Sequence, residues 1–308
     1  MDADCSPKGV LLLTFGGPDS LEAVEQFMTS IMGGRKPPAP LLAKMLERYK
    51  LIGGKSPLPR VSQEQARLLQ ETLNSEGQNY RVYVGMLHCH PFIKDSLSRM
   101  IQAGVRDIAA LSLSPHYAQV TTGAYSKAIE EARQELNENI KLSFCQGFYT
   151  HPLFVDGLTR ELEKALEEFP VSVQPEVEII FTAHSLPLAH IAAGDPYVDQ
   201  LRASVEALVA RKGLTHWSLA FQSKGGGQGE WLGPEVELIL EKIAASGKKH
   251  VLVFPIGFAT DHIETLYDID VSQREYAHSL GLNFHRALAL NTSPQFIQVM
   301  AEAVRAAF

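Results

Sequence analysis

Cysteine is scarce in this chain: only Cys5, Cys89 and Cys145 occur in 308 residues, no two of them close in sequence. That excludes a disulfide scaffold and a CxxC-type zinc or iron–sulfur motif. Long apolar runs are missing too, since none approaches the ~18 residues that a membrane-spanning helix needs. Positive charge is in deficit. With 28 Lys+Arg against 35 Asp+Glu, 28 − 35 gives −7, the wrong sign for a phosphate-backbone binder. The opening MDADCSPKGVLLLTFGG carries acids where a secretory leader wants Lys or Arg, and Gly16-Gly17 interrupts its apolar run. No low-complexity tract, long linker or internal repeat stands out. The expectation left by these absences is a cytoplasmic protein with no nucleic-acid partner and no integral membrane segment.

What the chain does have is ordinary globular composition, 45% hydrophobic and 20% charged, with short apolar runs alternating with longer amphipathic ones. Strands are expected at Val10–Phe15, Tyr80–Gly85, Ile108–Ser114, Lys141–Cys145, Glu176–Thr182, His216–Phe221 and Val251–Pro255. Helical patterns occupy Ser20–Met32, Ser62–Asn74, Phe92–Ala103, Ala124–Leu136, Leu153–Glu168, Pro196–Lys212, Gly233–Ala245 and Pro294–Ala306. Strands alternating with helices of this length read as βαβ units around parallel sheets. The class is therefore α/β: two doubly wound, Rossmann-like domains, each a parallel sheet of about four strands flanked by helices. The expected domains are 1–150, joined by the C-terminal helix 291–308, and 151–290.

Ligands of such folds bind beyond the carboxyl ends of the strands. Here those ends carry Phe15-Gly16-Gly17-Pro18, Met86-Leu87-His88-Cys89-His90, Pro115-His116-Tyr117, Ala183-His184-Ser185-Leu186-Pro187, Gln222-Ser223-Lys224 and Gly257 to Asp268. Imidazoles and carboxylates thus gather on one side of both sheets, which suggests a cleft between the domains. Three familiar motifs fail. Gly54-Lys55-Ser56 lacks the P-loop glycine, having Tyr49 in its place; Gly225-Gly226-Gly227-Gln228-Gly229 is followed by Glu230 and reads as a flexible turn; and Ser185 has no flanking glycines.

Others survive. His88 and His90 would share a face only if their strand continued. His116 sits on a Pro turn, and Pro187 keeps His184 on a constrained loop. A neutral imidazole at His184 can accept a proton near pH 7 or bind a borderline metal, and equally can serve only as a hydrogen-bonding loop residue. In Thr260-Asp261-His262-Ile263-Glu264-Thr265-Leu266-Tyr267-Asp268, three acids recur at i, i+3 and i+7, one face of a helix. Asp261 as N-cap and Glu264 closing a capping box would explain two of them. Asp268, four residues after Glu264, is left as a like-charge neighbour that a cation or a proton would relieve.

Taken in order, the blocks Leu13-Thr14-Phe15-Gly16-Gly17-Pro18, Ile52-Gly53-Gly54-Lys55-Ser56-Pro57-Leu58, Leu113-Ser114-Pro115-His116-Tyr117, Thr182-Ala183-His184-Ser185-Leu186-Pro187, Phe221-Gln222-Ser223 with Trp231-Leu232-Gly233-Pro234, and Gly257-Phe258 with Asp261 to Asp268 resemble ferrochelatase. The likeness runs from about residue 9 to 305. The short segment between Gly17 and Ile52 is similar to the coproporphyrin III type, which lacks the apolar lip of membrane-associated relatives. The resemblance implies two Rossmann-like domains enclosing a porphyrin, and insertion of Fe(II) into that ring with loss of two protons. His184 and Glu264 are implied as the catalytic, iron-contacting pair, with Asp268 extending the acidic path as a third metal contact. Phe15, Arg48, Tyr49, Ser56 and Tyr125 are implied as porphyrin-binding residues, the last four matching positions that meet propionates. Without the resemblance, Arg48 and Tyr49 would read as the solvated face of a helix ending at Ile52-Gly53.

Fe(II) is then a substrate, no iron–sulfur cluster is expected, and an auxiliary divalent metal near Asp268 is implied. A downstream haem-synthesis enzyme is the implied partner, and the chain reads as a monomer. Three positions depart from the pattern: Phe15 replaces a tyrosine able to bind product iron, Met32-Gly33 replace basic residues, and Ser272 stands where a third acid would lie one turn past Asp268. The alternatives are a protoporphyrin IX ferrochelatase, a cobalt or nickel chelatase for a reduced tetrapyrrole, and a two-domain binding protein without chemistry.

Overall fold

The computed structural model describes residues 6–226 and 229–308. Cys5, and Gly227 and Gln228 of the glycine-rich turn, lie outside the described residues. Two compact units divide the chain: one runs up to Phe148 and takes in Thr292–Phe308, and the other is Tyr149–Asn291.

Each unit is built on a parallel four-stranded sheet. In the first, β1 (Lys8–Thr14), β2 (Tyr80–Met86), β3 (Asp107–Ser112) and β4 (Lys141–Phe144) lie in the order β2-β1-β3-β4. In the second, β5 (Glu178–His184), β6 (Trp217–Gln222), β7 (His250–Phe254) and β8 (Asn283–Arg286) repeat it as β6-β5-β7-β8. The α/β class with two parallel, helix-flanked sheets is as expected. The inner strands read as continuous apolar runs because helices cover both faces of a parallel sheet. Accordingly Val10, Leu11, Leu12 and Leu13 of β1, and Ile180, Phe181, Thr182 and Ala183 of β5, are all at or near zero exposure. Leu97, Met100 and Ile129 pack on β1 and β3, while Val236, Leu240 and Ile269 pack on β5 and β7. The terminal helix Pro294–Arg305 packs against the helix Leu58–Asn74 and β3 of the first unit.

Several boundaries differ from expectation for local reasons. The first helix is Val24–Ile31, because residues 20–23 form bends and turns before it. The helix expected from Ser62 begins at Leu58, since Pro59 fits its first turn, where no N–H partner is needed. Helix Ala39–Leu51 carries Arg48 and Tyr49. The expected fourth strand of the second sheet, β8, has no legible span in the sequence: its four residues, Asn-Phe-His-Arg, hold a single buried apolar side chain, Phe284, too little for a strand signal. The acid-rich segment is a π-helix, Glu264–Gln273, rather than an α-helix. Its bonds span five residues, so the i, i+3, i+7 row does not describe one face. No helix among the described residues is long and apolar enough to cross a membrane.

Candidate active site

In the second sheet, the order β6-β5-β7-β8 puts a topological switch point between β5 and β7, where the connections leave in opposite directions. The carboxyl ends of those two strands are where such a sheet binds ligands. His184 is the last residue of β5, and the chain leaving β7 leads to Glu264. The expected pair does meet: His184 Nδ1 lies 3.0 Å from Glu264 Oε2, although the residues are 80 apart in sequence.

The local chain explains why His184 is held so firmly. Its backbone is in register with Gln222 of β6, and the next N–H, of Ser185, donates to the Gln222 carbonyl at 2.8 Å. Ser185 Oγ donates to the Leu232 carbonyl, and the Leu232 N–H donates back to Leu186, so the loop after β5 is stitched to the segment before Pro234. Tyr197 Oη donates to the His184 carbonyl at 3.2 Å. On the other side, the Gly257 N–H donates to Thr182 at 3.0 Å. A Cβ at Gly257 would stand 2.6 Å from Ala183 Cβ, so only glycine lets the chain leaving β7 pass this close to β5.

Glu264 is fixed from three directions. Its carboxylate takes the His184 hydrogen bond, its N–H donates to His262 Nδ1 at 3.0 Å, and its carbonyl accepts from Gln222 Nε2 at 2.9 Å. His262, half-buried and held below the usual imidazole range by desolvation, is neutral with its lone pair on Nδ1. His184 behaves oppositely. Burial opposes its charged form, but the Glu264 carboxylate, the hydrogen bond to it, and the more distant Asp268 together raise its pKa above the ordinary value. With Nδ1–H committed to Glu264, neutral His184 keeps its lone pair on Nε2, free for a proton or a metal.

The rest of the acidic row is arranged differently from the expectation. Asp261 neither caps a helix nor pairs with Glu264 in a capping box; its carboxylate accepts from Arg286 Nη1 at 2.9 Å and from Asn291 Nδ2 at 2.8 Å. Asp268 is turned to Ser223, whose Oγ donates to Oδ2 at 2.5 Å. Among the described residues no group of three or more His, Cys, Asp or Glu side chains is placed to hold a metal ion. His184 and Glu264 are brought together by a direct hydrogen bond, and Asp268 is held through its Oδ2 by Ser223. His262, Tyr197, Gln222 and Ser223 are the site residues that motif reading left without a role. Gln222, Ser223 and His262 were signalled only by their position at a strand end or beside Glu264, and Tyr197, the first residue of helix Tyr197–Lys212, by nothing local.

The porphyrin-contact candidates lie in the first unit. Phe15 is partly exposed at the end of β1 and meets the His88 ring edge-on at 4.5 Å. Arg48 is half-buried; Ser56 is buried and accepts the Leu58 N–H at 3.3 Å. Tyr49 and Tyr125 are each 1% exposed, and Tyr125 belongs to the hydrophobic core beneath β3, so neither hydroxyl is presented at the surface. His88 and His90 do not make a ligand pair. β2 ends at Met86, and the two rings bond separately, His88 Nδ1 to Ser30 Oγ at 3.0 Å and His90 Nδ1 to Asp95 at 3.1 Å. His116 is buried and neutral, its pKa pushed down to about 3 by desolvation.

Two helix-flanked parallel sheets of one strand order, each in its own unit, define a two-domain Rossmann-like α/β protein with a histidine–carboxylate pair at a switch point. Solved structures bear the fold out. The sirohydrochlorin chelatase SirB from Bacillus subtilis subspecies spizizenii, in complex with cobalt, is similar with a TM-score of 0.60 at 11% identity, covering 98% of this chain and 95% of that one. CbiX, the terminal enzyme for siroheme biosynthesis in denitrifying bacteria, gives 0.52 at 13% identity over 98% and 99% of the two chains. Sequence goes further. The ferrochelatase family model matches residues 7–308. The ferrochelatase of Herpetosiphon aurantiacus is 36% identical over 96% of this chain and 97% of its own, and that of Geotalea uraniireducens is 39% identical over 96% of each. The chain belongs to the ferrochelatase family, and it is an enzyme of metal insertion into tetrapyrroles.

Proposed function

We propose that the protein inserts Fe(II) into coproporphyrin III to give Fe-coproporphyrin III, a late step of haem synthesis. The observation that carries this reading is the hydrogen bond from His184 Nδ1 to Glu264 at the carboxyl ends of β5 and β7. Metal insertion replaces two pyrrole protons with one divalent cation, so the free-base ring and Fe(II) give the metallated ring and two protons. A base must accept those protons near neutral pH, and the raised pKa of His184 suits that step. His184 Nε2 takes a pyrrole proton, and Glu264 stabilises the imidazolium that forms. Ser223 and Asp268, joined at 2.5 Å, offer a second proton-accepting group further along the π-helix. Before it takes its pyrrole proton, the same His184 Nε2 lone pair can meet the incoming Fe(II), and a single imidazole with a carboxylate beside it would leave the metal's other positions to the ring nitrogens; proton uptake at Nε2 then releases the metal.

Arg48 is the propionate partner in this proposal, since a guanidinium matches a carboxylate. Tyr49, Ser56 and Tyr125 reach the ring only after their cover moves. Phe15 has no oxygen to ligate iron, so the product leaves without an axial ligand from this position. Coproporphyrin is preferred to protoporphyrin IX because it carries more propionates and because the segment between Gly17 and Ile52 is short.

The test is oxygen-free metal insertion with Fe(II) and either porphyrin, followed by loss of free-base fluorescence, in wild type and His184→Ala. The expected outcome is turnover on coproporphyrin III and a fall of about 10²–10⁴-fold in kcat in the variant, the usual worth of a general base. Turnover on protoporphyrin IX alone would overturn the substrate. Porphyrin binding without insertion by wild type would overturn the reaction.

A further inference from the structure

Behind the pair lies a buried charge network that the mechanism above does not use. Arg286, the last residue of β8, has a side chain only 5% exposed. Its Nε and Nη2 donate to Asp270 Oδ1 and Oδ2, each at 2.8 Å, in a bidentate fork. The remaining Nη1 donates to Asp261 Oδ1 at 2.9 Å and to the Ala287 carbonyl at 3.3 Å. Asp261 is further clasped by Asn291, which donates to Oδ2 at 2.8 Å and accepts the Asp261 N–H at 2.9 Å. Asp270 has a second cationic neighbour in Arg274, at 3.2 Å.

One guanidinium thus holds a residue three before Glu264 and another six after it. The π-helix begins at Glu264, between these two anchors. Next to Asp261, His262 accepts the Glu264 N–H, so the Asp261 anchor passes to the Glu264 backbone through a single hydrogen bond. A helix with five-residue bonds is a rare geometry that needs outside support, and neither α-helical periodicity nor a capping side chain supplies it here. Lysine could not substitute, because a point charge cannot make the planar fork and the third bond at once.

We infer that Arg286 is a positioning residue for the His184–Glu264 pair: by gripping Asp261 and Asp270 together it sets where the Glu264 carboxylate stands. This rests on the role proposed for the pair, and the experiment separates the two ideas. Arg286→Ala, Arg286→Lys and Asp270→Asn are compared with wild type in two assays. The first needs no substrate: the Nδ1–H proton resonance of His184, identified by its loss in His184→Ala, reports the hydrogen bond to Glu264. The second is steady-state Fe(II) insertion with and without added guanidinium.

The expected result is a folded Arg286→Ala protein with the His184 resonance shifted or broadened away. Its kcat should be down about 10²-fold, the scale of a misplacement near 1 Å, with KM for porphyrin within about twofold and partial recovery of kcat by guanidinium. Arg286→Lys should fail as Arg286→Ala does, and Asp270→Asn should fall between. A folded Arg286→Ala that keeps both the resonance and kcat overturns the inference. So does failure of all three variants to fold, because the network then serves the fold as a whole. If wild type shows no metal insertion, the proposed function falls, while the resonance assay still decides whether Arg286 sets the pair.

Discussion

His184 has a hydrogen bond on one imidazole nitrogen and a free lone pair on the other, and Glu264 is what makes the difference. Burial is the largest single influence on this imidazole, but the charge and hydrogen bond of Glu264, with Asp268, together outweigh it, so removing the Glu264 charge should lower the imidazole pKa. An NMR titration of His184 is expected to give a midpoint above the ordinary 6.5 in wild type and a lower one in Glu264→Gln. An unchanged midpoint would mean that Glu264 does not hold the imidazolium. The two members of the pair were legible as residue types: a strand-end histidine before a Pro-restrained loop, and a carboxylate in an acid-rich block. Asp268 and His262 were harder. The bond from Ser223 to Asp268 and the His262 ring accepting the Glu264 N–H have no counterpart in any contiguous motif.

At the level of elements, the approach of Gly257 to β5 governs how the two strand ends converge. Gly257→Ala places a methyl carbon 2.6 Å from Ala183 Cβ and 2.9 Å from its Cα, against backbone that cannot yield as a flexible side chain would. Overpacking of this kind typically costs about 1–3 kcal/mol. The variant should unfold at lower denaturant concentration and lose kcat, because relief of the clash pushes His184 away from Glu264. Normal activity in a destabilised Gly257→Ala protein would show that the strand end tolerates displacement. Most strands were legible because buried parallel strands are short, continuous apolar runs. β8 was not, since a short edge strand with one buried apolar residue carries almost no pattern, yet it delivers Arg286. The π-helix was read as an α-helix because the two share their residue preferences and differ only in which carbonyl each N–H finds.

For the molecule as a whole, desolvation of neutral histidines couples stability to pH. His116 has its pKa pushed down to about 3, while desolvation also lowers those of His88 and His262. Once unfolded, each histidine takes up a proton near pH 6.5, and the folded protein does not. Their stabilisation is therefore complete above pH 6.5 and declines as the pH falls below it; for His116 the loss continues down toward about 3, at about 1 kcal/mol per pH unit. His184 contributes with the opposite sign, stabilising below 6.5 and losing that contribution as the pH rises through its raised value. Urea unfolding at pH 7 and pH 4.5 is expected to show a lower midpoint at 4.5, with a smaller difference in His116→Asn. A difference that does not shrink in that variant would assign the acid sensitivity to other groups.

The amino-acid sequence by itself determined the α/β class, the alternation that makes parallel sheets, the family, and the residue types of the pair, because all of these are written in local periodicity and contiguous motifs. Tertiary structure alone decided that residues 80 apart share a hydrogen bond, that Asp261 turns to Arg286 and Asn291, and that Asp268 turns to Ser223. A side chain's partner is set by which backbones converge in space, and convergence at a switch point depends on strand order and on close approaches such as Gly257 to Ala183. No local pattern carries that information.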